Sequence, residues 1–148
     1  MPTSNTAAVL NRLLTIVHRS LPMYLAEVPP WMGPNGSHAW KALAHIVNDL
    51  KAYSGRIADY LLDHHWRIEL GPYPMEFTGL HDCSLDYLVG RLVELARRDI
   101  AKIEECVREL RDDPPARTLA EEVLGAARGH LEALMELERS VAAGPKAA

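Results

Sequence analysis

The periodic spacing of apolar residues is the feature of this sequence that most constrains its fold. In four long segments, apolar side chains recur every three or four residues, which places them along one face of an α-helix. Prolines and glycines cluster between the segments, where they interrupt helical structure. The sequence therefore predicts an all-α chain that forms a four-helix bundle. Its helices are expected at about residues 4–28, 37–69, 84–112 and 115–140, followed by a frayed tail at 141–148.

Individual residues mark where these helices begin, weaken or break. Pro22 lies inside the first predicted helix and should kink it or split its last turn, because proline cannot donate a helical hydrogen bond. Ser37 and Ser84 have the short hydroxyl side chains that cap helix N-termini. Gly55 weakens the middle of the second helix, since glycine disfavours helical structure. Residues 29–36 are rich in proline and glycine and are expected to form a loop.

Composition and charge limit the classes of protein to which the chain can belong. With 148 residues, of which 48% are hydrophobic and 24% charged, residues 1–148 are expected to form one domain with its own apolar core. The net charge of −4 and the lack of a Lys/Arg cluster argue against nucleic-acid binding. No stretch approaches the roughly 18 consecutive apolar residues that a membrane span requires, so no membrane partner is expected. Cys83 and Cys106 lack metal-ligand spacing and the N-terminus has no secretory pattern, which favours a cytoplasmic location.

The lengths of the connections indicate the order in which the helices pack. The first and second helices, and likewise the third and fourth, are joined by short segments that suit antiparallel neighbours. About fifteen residues separate the second and third helices, and they can extend about 50 Å at 3.3 Å per residue. A helix of about 28 residues is only about 42 Å long. The second and third helices can therefore run parallel, joined by a crossover that travels the length of the bundle.

Two helical hairpins joined by a long crossover resemble the ferritin-like superfamily. The second predicted helix ends at 70–74 in Leu-Gly-Pro-Tyr-Pro, which is similar to its ending in bacterioferritins and in starvation-induced ferritin-like proteins. The stretch at 33–45 also looks like the approach to the second helix in the starvation-induced branch. The resemblance implies a di-iron site with a Glu on the first and third helices and a Glu-x-x-His motif on the second and fourth. Ala127 stands where the last motif needs a carboxylate and Ala52 where the earlier one needs an imidazole, so a standard ferroxidase centre is not expected.

A set of polar side chains at or beside the apolar faces is the candidate functional site. His18, Asp99 and His130 occupy positions where a hydrophobic residue is expected, and these three and Asp49 lie near the middle of their helices. Counting residues from the loops places these four at one height in the bundle. His45 lies one turn from Asp49 on the same face of the second helix. Imidazoles and carboxylates together suit zinc, iron or manganese. The predicted metal ligands are His18, His45, Asp49, Asp99 and His130.

A second interpretation of this polar level stays open. A histidine at the edge of a helix face is commonly a hydrogen-bonded core residue, and a buried polar layer can define packing register. The chain would then be a non-catalytic scaffold that forms a homodimer or larger homo-oligomer. A zinc-dependent thiol transferase of the bundle type is a third class, but no His-x-x-x-His occurs on a late helix to support it. No nucleophile triad or phosphate-binding loop is recognisable, so no catalytic residues are assigned and a non-enzymatic role is favoured.

Overall fold

The computed structural model describes residues 4–32 and 36–143, and in these ranges the chain is all-α, as predicted. They contain no strand, only an isolated bridge between Trp31 and Ser84. No helix in the described ranges is long and apolar enough to span a membrane. Short 3-10 helices occur at Met75–Phe77 and Leu80–Asp82. The five α-helices of the described residues are α1 (Ser4–His18), α2 (Leu21–Glu27), α3 (Gly36–Asp63), α4 (Leu85–Glu109) and α5 (Pro114–Ala142).

The first predicted helix is split in two, as the proline in its sequence predicted. Pro22 lies in the first turn of α2, where its missing N–H costs nothing. Continuing α1 through this point would leave a carbonyl of α1 without its donor and clash with the ring. The chain therefore turns at Ser20, whose backbone is extended (φ −74°, ψ 162°). The hydroxyl of Ser20 donates to the carbonyl oxygen of Val17 at 3.0 Å and closes the end of α1.

The predicted end of the second helix near residue 69 is wrong, because α3 ends at Asp63. His65 adopts a left-handed backbone conformation (φ 60°), and the N–H of Trp66 donates back to the carbonyl oxygen of Leu61 at 2.9 Å. The segment that follows gains its hydrogen bonds from α1 instead. The side-chain amide of Asn11 donates to the carbonyl oxygen of Arg67 at 3.0 Å and accepts from the N–H of Glu69 at 2.7 Å.

The ends of the last two helices lie close to the predicted positions. Ser84 caps α4 as expected, and its hydroxyl accepts the N–H of Tyr87 at 3.2 Å. The last turn of α4 ends at Glu109, three residues before the predicted end. Asp113 caps α5, which continues to Ala142, two residues beyond the predicted end of the helix. Residues 33–35 and 144–148 lie outside the described part of the chain.

Two apolar clusters at opposite ends of the molecule show the directions of the helices. One cluster joins α2 with the first halves of α3 and α4 and the end of α5. The other joins α1 with the end of α3, the end of α4 and the start of α5. Helices α3 and α4 therefore begin at the same end and run parallel, while α5 runs antiparallel to both. The connection at 64–84 passes from the second cluster, against which Leu70 packs, to the first, in which Phe77 is buried.

Contacts with the first two helices hold this connection against the bundle. The Nε of Arg19 donates to the carbonyl oxygen of Gly71 at 2.7 Å, and the guanidinium lies over the ring of Tyr73 at 4.7 Å. Tyr73 in turn meets the ring of Tyr24 edge-on, with centroids 5.2 Å apart. The N–H of Leu85 donates to the carbonyl oxygen of Trp31 at 2.7 Å. Contacts with neighbouring residues thus hold the connection at 64–84 against the helices.

Candidate functional site

A direct contact between α3 and α5 joins two of the predicted site residues. The Nε2 of His130 lies 2.9 Å from Oδ2 of Asp49, within hydrogen-bond distance. The His130 side chain is 13% exposed and that of Asp49 is 42% exposed, so the pair lies at the edge of the interior. The two helices are antiparallel, which brings the middle of one to the middle of the other. The expectation that these residues share one level of the bundle agrees with this contact.

The pair opens onto a groove between α3 and α5. His45 lies one turn before Asp49 on the same helix and lines this groove as an exposed side chain, and His38 lies further along it. Ala126 and Gly129 supply part of the wall from α5, and their small size leaves the groove wide. Among the described residues, no group of three or more His, Cys, Asp or Glu side chains stands close enough to hold a metal ion. The structure therefore presents two adjacent ligand-type side chains and a third within one helical turn.

Asp99 lies on the other side of the interior, on α4. It lines a small cavity of about 60 Å³ that is partly open to solvent, and His130 lines the same cavity from α5. Burial raises the pKa of the Asp99 carboxyl to about 6, and the positive charges of Lys102 and Arg98 offset only part of this rise. Asp99 and His130 thus line one largely apolar cavity from the neighbouring helices α4 and α5.

His18 is not brought together with the other predicted ligands. It lines a separate groove between α1 and α3, together with Ser54. Its Nδ1 is buried without a hydrogen-bond partner, and burial, aided by the charge of Arg19, lowers the pKa of the imidazole. The predicted convergence of five ligands therefore fails for His18, because α1 and α5 pack on different faces of α3. Ser54 is a further polar residue of this groove that is not among the residues predicted for the site.

The alanines that depart from the di-iron pattern are not equivalent in the structure. Ala127 lines the cavity, one turn before His130. Ala52 is exposed, so the interpretation that it stands at an interior ligand position is wrong. The residues of α3 that face the cavity at this level are Leu50 and Tyr53. The interior positions of this helix therefore lie one residue after those of the predicted motif.

The fold and site define an all-α protein with a polar level around an apolar mid-bundle cavity. No family model, curated protein or solved structure matches this chain. The contacts and charges of its own residues are therefore the basis for assigning a function.

Proposed function

We propose that this chain is a ferritin-like four-helix bundle that binds one divalent transition-metal ion through Asp49 and His130 in the α3–α5 groove. In this arrangement α1 and α2 together form the first helix, and α3, α4 and α5 are the others. The parallel course of α3 and α4, joined by the connection at 64–84, supports the crossover topology. The observation that carries the metal proposal is the 2.9 Å separation of Nε2 and Oδ2.

This separation is close to what a bound ion requires. Zinc with bonds of about 2.0–2.1 Å at tetrahedral angles holds two ligand atoms about 3.3 Å apart. A spread of a few tenths of an ångström would therefore convert the hydrogen bond into a chelate. His45, exposed and one turn from Asp49, does not reach the pair in the structure, so its side chain must turn toward Asp49 to act as a third ligand, and water completes the shell. Two imidazoles with one carboxylate are a donor set suited to zinc, and also to iron or manganese.

The cavity residues argue against a dinuclear oxidase. A di-iron centre needs six inward ligands, and at this level Leu50, Tyr53 and Ala127 face the cavity where carboxylates or imidazoles would be required. Only Asp99 and His130 remain there as ligand-type side chains among the described residues that line the cavity. The proposed role is therefore to bind, store or sense a single ion at the edge of the bundle.

Metal titration of protein purified without a polyhistidine tag tests the proposal. Zinc added in a calorimeter should saturate near one ion per chain. Removing one ligand with His130→Ala or Asp49→Asn should weaken the affinity about tenfold or more, since even outer-shell changes have such effects. Asp59→Asn, which neutralises an exposed carboxylate elsewhere on α3, is the matched control and should bind like the wild type. Absence of saturable binding, or equal affinity in all variants, would contradict the assignment.

A second candidate function is an oligomeric interaction scaffold in which the polar level only sets packing register. Two observations favour it: the direct hydrogen bond between Asp49 and His130, and large apolar side chains left exposed near the start of α4. Trp31 and Tyr87 are 68% and 73% exposed in the monomer. If the chain is a scaffold, His130→Ala should lower the melting temperature, and neither the variant nor the wild type should bind a metal ion. Light scattering tests whether the chain self-associates. A protein that stays monomeric at high concentration is not a self-associating scaffold.

A further inference from the structure

Asp99 carries a largely buried carboxylate that packing alone does not explain. It occupies an interior position of α4, along the same stripe as the buried Leu92 and Ile103. No described residue donates a hydrogen bond to its carboxylate, and Lys102 and Arg98 act on it only through their charge. Burying such a group without a hydrogen-bond partner costs stability. An ionisable group that is kept at this cost is a candidate for a functional role.

The cavity at the middle of the bundle connects Asp99 with the proposed metal site. It has a volume of about 60 Å³, and Asp99 and His130 line it from neighbouring helices. Asp99 is the only carboxylate among the described residues of its lining, most of which are apolar. His130 also lines the α3–α5 groove, so a single imidazole faces both spaces.

The register of α4 against α5 shows how far apart Asp99 and His130 lie along the bundle. Two side-chain contacts join the helices near the cavity: Nη2 of Arg97 to Sδ of Met135 at 3.6 Å, and Nη2 of Arg128 to Oε2 of Glu104 at 3.7 Å. Because the helices are antiparallel, both contacts place His130 level with residue 102 of α4. The offset between Asp99 and His130 is therefore three residues, or about 4.5 Å along the helix axes at 1.5 Å per residue.

The second ring nitrogen of His130 is the atom that can use this carboxylate. Nε2 is directed to Asp49 in the α3–α5 groove. Nδ1 points away from Asp49 and forms no hydrogen bond with the described part of the chain. A metal-bound histidine almost always donates its other N–H to a carboxylate, a carbonyl or water, and this bond fixes the orientation of the ring. With Nε2 on the ion, Nδ1 is the nitrogen that needs such an acceptor.

We propose that Asp99 is a positioning residue of the metal site and accepts the Nδ1–H of His130 through water in the cavity, an inference that rests on the proposed function. A cavity of about 60 Å³ has room for such a bridge, since each water molecule takes about 30 Å³. The carboxylate holds the imidazole in the tautomer that leaves Nε2 free for the ion, and its negative charge makes the imidazole a stronger ligand. Asp99 thus destabilises the metal-free fold but strengthens metal binding.

Zinc titration of Asp99→Asn on the full chain, together with its urea unfolding, tests the proposal. Asparagine keeps the shape of the side chain but lacks the charge, so we expect about tenfold weaker zinc binding than in the wild type. The variant should be at least as stable as the wild type, whereas a purely structural role would lower affinity and stability together. Glu105→Gln removes an exposed carboxylate from the same helix and is the matched control, which should bind zinc like the wild type.

A double-mutant cycle shows whether Asp99 acts through His130. Adding Asp99→Asn to His130→Ala should weaken the remaining zinc affinity by less than about twofold, because the imidazole that the carboxylate orients is absent. Equal losses in both backgrounds, or wild-type affinity in Asp99→Asn, would overturn this inference and leave the proposed metal site intact. Absence of saturable zinc binding by the wild type would refute the proposed function, and this inference with it.

Discussion

Replacing Asp99 by asparagine should stabilise the protein at neutral pH and have almost no effect on its stability near pH 4. Burial raises the pKa of this carboxyl from 3.8 to about 6 in the folded chain. Between these values the folded state retains a proton that the unfolded chain has lost, so the folded state loses stability as the pH rises. Each pKa unit corresponds to about 1.4 kcal/mol, which gives an upper value of about 3 kcal/mol at pH 7.

Contact of Asp99 with solvent reduces this cost. The residue also lines an open groove between α1 and α4, next to Arg98 and Lys102. Since a solvated carboxylate is destabilised less than a fully buried one, we expect Asp99→Asn to gain about 1–3 kcal/mol at pH 7. Most of this gain should develop between pH 4 and pH 6, and it should be constant above about pH 7.

Urea unfolding at a series of pH values from about 4 to 8 measures this difference directly. Asp59→Asn, in which the replaced carboxylate is exposed, is the control and should show a flat difference over the same range. The explanation by burial is refuted if Asp99→Asn destabilises the protein at pH 7, or if its effect does not vary with pH. A destabilised variant would mean that the charged carboxylate is engaged by a favourable partner.

Two further substitutions test other polar groups by urea unfolding. Ser54→Ala removes a buried hydroxyl without a partner, so it should stabilise the protein by about 1 kcal/mol more than Ser140→Ala. Ser140→Ala is the control, because the same change occurs there at an exposed helical position. Equal effects of the two substitutions would mean that the Ser54 hydroxyl has a hydrogen-bond partner. Asp113→Ala removes the acceptor of both the Ala116 N–H and the Tyr60 hydroxyl and should cost about 2 kcal/mol, through a lost helix cap and a partly buried hydroxyl left without its acceptor. A loss of stability below about 0.5 kcal/mol in Asp113→Ala would contradict the role of Asp113 as helix cap and acceptor for Tyr60.

The helices themselves could be predicted because their causes are local. Apolar periodicity lies within each segment, and so do the capping hydroxyl of Ser84 and the missing N–H of Pro22. The end of α3 could not be predicted in this way. Its last predicted turn is replaced by hydrogen bonds from Asn11, which is more than fifty residues away in the chain. Nothing in the sequence around residue 69 indicates that partner.

The candidate site shows the same division between local and tertiary causes. The level of a residue along a bundle follows from its distance to the loops, and the contact between Asp49 and His130 agrees with such a count. The face on which a residue lies depends instead on which helix packs against it. The pattern of the motif predicts Ala52 in the interior, yet this residue is exposed because Leu50 and Tyr53 occupy the interior face.

The angle between adjacent residues of a helix explains why most of the predicted polar residues lie around the cavity and do not fill it. Successive residues of an α-helix are turned by about 100°. Val17 and Leu50 line the mid-bundle cavity, so the adjacent His18 and Asp49 are directed to the grooves on either side of α3. His130 reaches both the cavity and a groove. The polar residues of this level therefore line separate grooves: Asp49 the one between α3 and α5, His18 the one between α1 and α3, and Asp99 the one between α1 and α4.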